Sequence, residues 1–237
     1  MLVVTTSWDD GDVSDKRVIE ILDRYGLKGT FYIPKEYWGE RLSEDDIKAI
    51  SGEHEVGAHT LSHIDLSKVD TLIATKEIEG SKAWLEEITG KNIQMFCYPR
   101  GRFTPETVRI VKDVGFHGAR TTQLFALTVQ NPFEIATTIQ VYPLPFKTDT
   151  GFMRVFEPLQ QRYAGFRSLD VPFFAMRSWE SAAKAAFDTA LQKGGVFHLW
   201  GHSWEIEKYD LWDEFEQVCA HIGRQSDCKY VINAELV

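Results

Sequence analysis

Cysteine is scarce in this chain of 237 residues: only Cys97, Cys219 and Cys228 carry thiols, and no two of them have CxxC spacing. An odd, scattered set of this kind suggests neither a disulfide framework nor a thiolate metal site. Positive charge is also in short supply, with 26 Lys and Arg against 35 Asp and Glu for a formal net charge of -9. Phosphate contact needs clustered cations, so nucleic acid is not an expected partner. Long hydrophobic runs are missing as well. No stretch approaches the roughly 18 apolar residues of a membrane span, and Leu2 to Thr6 is too short for the core of a signal peptide. The chain is therefore expected to be cytoplasmic, with no transmembrane segment. Internal repeats and low-complexity tracts are absent too. What remains is 43% hydrophobic and 13% aromatic residues, ample material for one compact domain spanning residues 1–237.

Strand-like and helix-like segments alternate along the chain. The β-branched run from Leu2 to Thr6 stops at the turn-forming Asp9-Asp10-Gly11. Val18, Ile21, Leu22 and Tyr25 then mark one face of a helix that Gly26 ends. Strand patterns follow at 29–33, 55–59, 93–98, 116–121, 135–141, 195–200 and 229–232. Helical patterns occupy 43–50, 67–89, a segment opening at Thr104-Pro105-Glu106, 178–192 and the stretch marked by Leu211, Phe215, Val218, Cys219 and Ile222. Residues 144–177, rich in proline and poor in period, read as a long surface excursion. This alternation predicts an α/β fold of parallel βαβ units closing into a distorted (β/α) barrel of about seven strands. Active sites of such barrels lie at the carboxyl ends of the strands, where four polar clusters fall.

Asp9 and Asp10 end the first strand, where adjacent side chains diverge and two carboxylates can take different tasks. His59 and His63 stand four residues apart; on a helical turn such a pair converges on a divalent cation. Two histidines with one of the aspartates make a three-ligand set with open coordination, and the other aspartate is then free to take a proton from water. Ligand types alone do not fix the metal. In the third cluster, Phe96 to Phe103, the turn after Pro99 can offer a backbone N–H to a developing oxyanion. In the fourth, His198 and His202 share strand parity, and Trp200 and Trp204 offer surfaces for a sugar ring.

These residues resemble the polysaccharide deacetylases of carbohydrate esterase family 4. Thr6-Ser7-Trp8-Asp9-Asp10-Gly11 is similar to the family's T-F-D-D-G motif with one residue inserted, and His59 to His63 matches H-[ST]-x-x-H. Phe96 to Gly101 resembles the third motif, and His202-Ser203-Trp204-Glu205 a variant of the last. The resemblance implies removal of an N-acetyl group from an N-acetylated glycan or sugar precursor. It makes Asp9 the general base, and Asp10, His59 and His63 the ligands of a divalent metal, zinc first, with cobalt, manganese, iron or nickel as alternatives. Arg100 N–H would complete the oxyanion site, with Tyr98, Trp200 and Trp204 as substrate contacts and His202 or His198 as the acid. The chain departs from the family pattern at Cys97, where many relatives carry an arginine that pairs with the base. Arg120 is the favoured substitute, ahead of Arg100 and Arg102. For the carboxylate that orients the acid histidine, Asp170 and Asp149 are the candidates. Two other readings stand beside this one: a cyclic-amide (allantoin-like) hydrolase of the same fold, and a carbohydrate-binding protein whose catalysis has lapsed.

Overall fold

The computed structural model describes residues 1–145 and 157–237. Strands β1 (Leu2–Asp9), β2 (Gly29–Ile33), β3 (Glu55–Ala58), β4 (Met95–Cys97), β5 (Gly118–Arg120), β6 (Ile139–Gln140), β7 (Gly195–Gly201) and β8 (Cys228–Tyr230) form one sheet. Its order is β5-β4-β3-β2-β1-β7-β6, and every pairing is parallel. β8 pairs with Leu2 to Val4 on β1, below the point where β2 pairs with Thr6 to Asp9. The ring closes where Ile135 bridges Arg120 of β5, while Ile139 and Gln140 pair with β7. The architecture is the expected distorted barrel of seven parallel strands.

Helices α1 (Asp15–Tyr25), α2 (Glu44–Glu53), α3 (Thr71–Thr89), α4 (Pro105–Asp113), α5 (Glu157–Ser168), α6 (Trp179–Lys193), α7 (Ser203–Lys208) and α8 (Trp212–Ile222) complete the described chain. Their boundaries follow local chemistry. α1 buries Val18, Ile21 and Leu22 and ends at Gly26, whose left-handed φ of 69° suits a residue without Cβ. α4 starts with Pro105 after Thr104, whose hydroxyl accepts from Thr107 N.

Alternation along the strands sorts the side chains into two environments. Val4, Trp8, Phe31, Phe96, Phe197 and Leu199 join the apolar core beneath the helices. The residues of opposite parity form a more polar interior: Thr5, Ser7, Asp9, Thr30, Tyr32, Cys97, Arg120 and His198 are all buried. A 3-10 turn at Asn233–Leu236 meets this interior. Asn233 accepts from Thr5 Oγ1 (2.8 Å) and donates to Tyr32 Oη (2.9 Å), and Glu55 accepts from Thr30 Oγ1 (2.7 Å) and Ala234 N (3.1 Å).

Three expectations need correction. Of the stretch 144–177, residues 146–156 lie outside the described residues; the described remainder is not simply irregular, since it contains α5 and a 3-10 turn at Phe173–Arg177. The strands expected at 93–98, 116–121 and 135–141 shrink to three, three and two residues. The polar cluster after His202 is helical, as α7.

Candidate metal centre and catalytic site

The sheet delivers Asp9 and Asp10 from the end of β1, His59 from just past β3, Cys97 from the end of β4, Arg120 from the end of β5 and His202 from just past β7. Several of the connecting residues adopt left-handed backbone: Asp10 (φ 81°), Thr60 (65°), His63 (51°) and Arg100 (59°). Non-glycine residues rarely adopt this conformation, and it gathers where a site constrains the chain.

Asp10 Oδ1 lies 3.4 Å from His63 Nε2 and 3.8 Å from His59 Nε2. The histidine loop is not the expected helical turn: its two rings meet, with centroids 4.8 Å apart, because Thr60 and His63 reverse the chain. Glu77 of α3 holds that loop by accepting from Leu61 N (2.9 Å), Ser62 N (2.9 Å) and Ser62 Oγ (2.8 Å). Donor atoms of Asp10, His59 and His63 all lie within 4.8 Å of one another, and Asp10 Oδ1 is buried with no hydrogen-bond partner. Tetrahedral coordination with bonds of about 2.1 Å sets donor–donor edges of about 3.4 Å, so the three donors fit a divalent cation.

A second group, Asp9, His59 and Cys97, also converges, but its chemistry is wrong for a cation. Burial pushes the Cys97 thiol well above its ordinary value, and it is the thiolate that ligates metals. Asp9 Oδ1 is already paired with Arg120 Nη2. Burial pushes the His59 imidazole down to about 4, leaving it neutral, the ligating form. Its Nδ1 lies 2.8 Å from the Cys97 carbonyl oxygen. That contact places the proton on Nδ1 and turns the Nε2 lone pair toward Asp10.

Asp9 and Arg120 form a buried ion pair, and Cys97 Sγ lies 3.8 Å from Asp9 Oδ2. Burial opposes ionisation of Asp9, but the Arg120 charge, helped by that of His202, holds its carboxyl below the ordinary value. Arg120 thus stands where the absent third-motif arginine would act. Arg102 instead pairs with Asp65 at 2.7 Å, and the Arg100 side chain is exposed.

His202 Nδ1 lies 2.7 Å from Glu205 Oε2, one helical turn on in α7, and its Nε2 lies 3.8 Å from Asp10 Oδ2. Burial alone would lower this imidazole; the Glu205 hydrogen bond and the charges of Asp10, Glu205 and Asp9 outweigh it and hold the value up at about 9. His198 is in a different setting, buried inside the barrel with Nε2 2.8 Å from Ser7 Oγ. Burial and the nearby Arg120 push it down to about 3, so it has no proton to give near neutral pH.

Glu205, rather than either predicted aspartate, faces His202. Asp170 is an exposed partner of Lys193 at 2.5 Å, and Asp149 lies outside the described residues. An i, i+3 acidic residue after His202 was the available signal. The three predicted aromatic contacts part ways. Tyr98 is fully buried, with its hydroxyl donating to Phe133 O at 3.1 Å, so it faces the core instead of the mouth. Trp200 is buried with the Arg120 guanidinium 4.6 Å from its ring centre, which occupies a face a sugar would need. Trp204 is half-buried and donates from Nε1 to Asp10 Oδ2 at 3.0 Å, which sets it beside the candidate metal ligands.

With this geometry in place, comparison with known proteins is informative. The sequence model of the family described as polysaccharide deacetylase matches residues 2–119. YxkH of Bacillus subtilis (strain 168) is 24% identical over 125 residues, 51% of this chain and 44% of that protein. A chitin deacetylase of Pestalotiopsis sp is 27% identical over 88 residues, 36% of this chain and 30% of its own. The chain spans less than half the length of these curated relatives. Among solved structures, the Xyl-CE4 domain of a multidomain xylanase from the hindgut metagenome of Trinervitermes trinervoides superposes with a TM-score of 0.59. It is 12% identical, over 99% of this chain and 89% of that one. The Streptococcus pyogenes deacetylase PplD in complex with acetate gives a TM-score of 0.54 at 22% identity, over 67% and 69%. At these identities the structural likeness speaks for the fold.

Proposed function

We propose, from the premise that the chain belongs to the polysaccharide deacetylase family, that residues 1–237 form one metal-dependent hydrolase domain that removes the N-acetyl group from an N-acetylated sugar or polysaccharide precursor. The observation that carries this reading is the convergence of Asp10, His59 and His63 around a buried, unpartnered carboxylate oxygen, beside an Asp9 kept ionised by Arg120. A divalent ion held there, zinc by preference for two imidazoles and a carboxylate, would supply Lewis acidity toward the acetamide carbonyl and acidify a water. Asp9, kept ionised by Arg120 and shielded from solvent, would be the group that accepts the proton of the attacking water. Arg120 fixes the carboxylate and keeps it from being protonated beforehand. The backbone N–H at the left-handed Arg100 turn would be the donor to the oxygen that gains charge. His202 is charged below about pH 9 and delivers a proton to the departing amine, with Glu205 holding its ring by Nδ1. The products are acetate and a free amino sugar.

The intact ligand set distinguishes this reading from a cyclic-amide hydrolase that has lost a ligand. A lapsed binder would have no need of a shielded base next to a cation site. A neutral or precursor glycan of cell-surface polysaccharide synthesis suits the net charge of -9 better than a polyanion. The test is acetate release from a panel of N-acetylhexosamine compounds by metal-stripped and metal-reconstituted protein. Acetate appearing only after reconstitution is the expected result. Release from cyclic amides alone, or metal binding without any turnover, would overturn it.

A further inference from the structure

Asp10 divides its two carboxylate oxygens between different neighbours. Its backbone is pinned, with Asp10 N donating to Tyr32 O at 3.0 Å, and its side chain is buried. Oδ1 stands 3.4 Å from His63 Nε2 and 3.8 Å from His59 Nε2, and it accepts no hydrogen bond among the described residues. Oδ2 instead accepts from Trp204 Nε1 at 3.0 Å. An indole carries one N–H and no acceptor. Trp204 can therefore serve this carboxylate only as a donor, and its bond selects which oxygen is left to face the histidines.

The donor is itself held in place. Trp204 lies on the first turn of α7, where Glu205 N donates to His202 O at 3.1 Å and Ile206 is fully buried. Its ring meets the His202 ring at 5.3 Å and the Trp38 ring edge to face at 5.2 Å. With two rings against it and its N–H engaged, the indole has little freedom to swing. A hydrogen bond to an ionised carboxylate is among the stronger kinds, and one that orients a metal ligand is worth roughly 10–100-fold in metal affinity. The consequence for ion choice follows from the number of oxygens on offer. With Oδ2 engaged, Asp10 presents a single oxygen beside two imidazoles, a donor set that suits zinc at low coordination number. A carboxylate free to offer both oxygens would move the site toward the oxygen-rich, higher coordination that manganese favours.

We propose that Trp204 is a positioning residue for the cation site: by holding Asp10 Oδ2 it leaves Oδ1 alone to face an ion and sets a preference for zinc over manganese. This inference rests on the metal-dependent deacetylase reading above, and the test separates the two. Zinc and manganese dissociation constants are measured by calorimetry on metal-stripped wild type, Trp204→Phe and Trp212→Phe. Acetate release from the N-acetylhexosamine panel is followed with reconstituted wild type. Trp212 is the control, since its Nε1 also donates to a carboxylate, Glu207 Oε2 of α7 at 2.6 Å, that is no candidate ligand. In Trp204→Phe zinc affinity should fall roughly 10–100-fold and manganese affinity less, so that the zinc-to-manganese ratio narrows. Both affinities should hold in Trp212→Phe. In the wild type the Trp204 indole N–H resonance should shift when zinc is added and that of Trp212 should not, a readout that needs no variant to fold. Unchanged zinc affinity in folded Trp204→Phe, an equal loss for both ions, or an equal loss in Trp212→Phe would overturn the inference and leave the deacetylase reading standing. A Trp204 resonance that bound zinc leaves in place would do the same. Zinc binding with the expected dependence on Trp204, but no acetate, would uphold the positioning role and overturn the reaction. No zinc binding by the wild type would overturn both.

Discussion

The contact between Arg120 and Asp9 bears on stability and, in the deacetylase reading, on chemistry, because both groups are buried and each is the other's main source of compensating charge. Removing one partner of such a pair strands the other and costs about 3–5 kcal/mol. Arg120→Ala should therefore lower the unfolding free energy by that amount in urea titrations and abolish acetate release. In the double variant Asp9→Asn/Arg120→Ala no carboxylate is stranded, so part of the stability should return while activity stays absent; strict additivity of the two losses would show that the contact contributes nothing. Glu205 acts on His202 in a way that pH reveals. The raised imidazole keeps its proton until pH passes about 9, so the acid role proposed for it should be lost above that point. Glu205→Gln keeps the shape and removes the charge. In metal-free protein the His202 NMR titration should move down from about 9 toward its ordinary 6.5. In reconstituted enzyme the alkaline limb of kcat/KM should move the same way, with a loss of roughly 10–100-fold at neutral pH. An alkaline limb that stays in place would remove Glu205 from this role.

At the scale of elements, what could be read depended on how local each cause is. β1 and β2 are largely β-branched or aromatic runs, buried except for the half-buried Val3, and α1 carries its own stop signal, so all three were legible. β4, β5 and β6 span three, three and two residues, too short for any period to show. α5 does carry Leu159, Tyr163 and Phe166 at i, i+4 and i+7, but a period this short is easily lost in a proline-rich stretch. The site divides in the same way. Asp9-Asp10 and His59…His63 are neighbours in sequence and were readable. Arg120 reaches Asp9 across 111 positions, so sequence could only rank it among arginines. Trp200 lost its expected role because strand parity turns it toward Arg120. The base of the barrel shows a further nonlocal effect. Glu55 is buried against the Asn233–Leu236 turn, and burial raises its carboxyl from 4.5 to about 7 despite hydrogen bonds from Thr30 and Ala234. A carboxyl with a raised folded-state value favours the fold while protonated. That contribution is full below about pH 4.5 and is lost as pH rises through about 7, to a total of roughly 3 kcal/mol. Glu55→Gln should flatten the stability profile across that window in denaturant titrations at fixed pH. An equally steep profile in the variant would assign the slope to other groups.

Across the whole molecule, the cation site depends on barrel closure, since its donors come from the ends of β1 and β3 and their neighbours from β4, β5 and β7. The unfolded chain separates these donors, so a cation that binds the native site stabilises the entire domain by mass action. At one hundred times its dissociation constant the gain is about 2.7 kcal/mol, worth roughly 5–10 °C in Tm for a chain of this size. Zinc should raise the Tm of metal-stripped protein by that amount. Calcium should not, because it seeks six or more oxygen donors and this site offers two imidazoles and one carboxylate. Asp10→Asn removes the only anionic donor of the set while keeping its shape. It should abolish the zinc shift together with acetate release. The apo Tm should stay close to wild type, because the amide oxygen can still accept from Trp204 Nε1 in place of Oδ2, and among the described residues Oδ1 accepts no hydrogen bond that the substitution would break. A zinc shift that survives in Asp10→Asn would place the cation elsewhere, and the Asp9, His59 and Cys97 group would then have to be tested with Cys97→Ser.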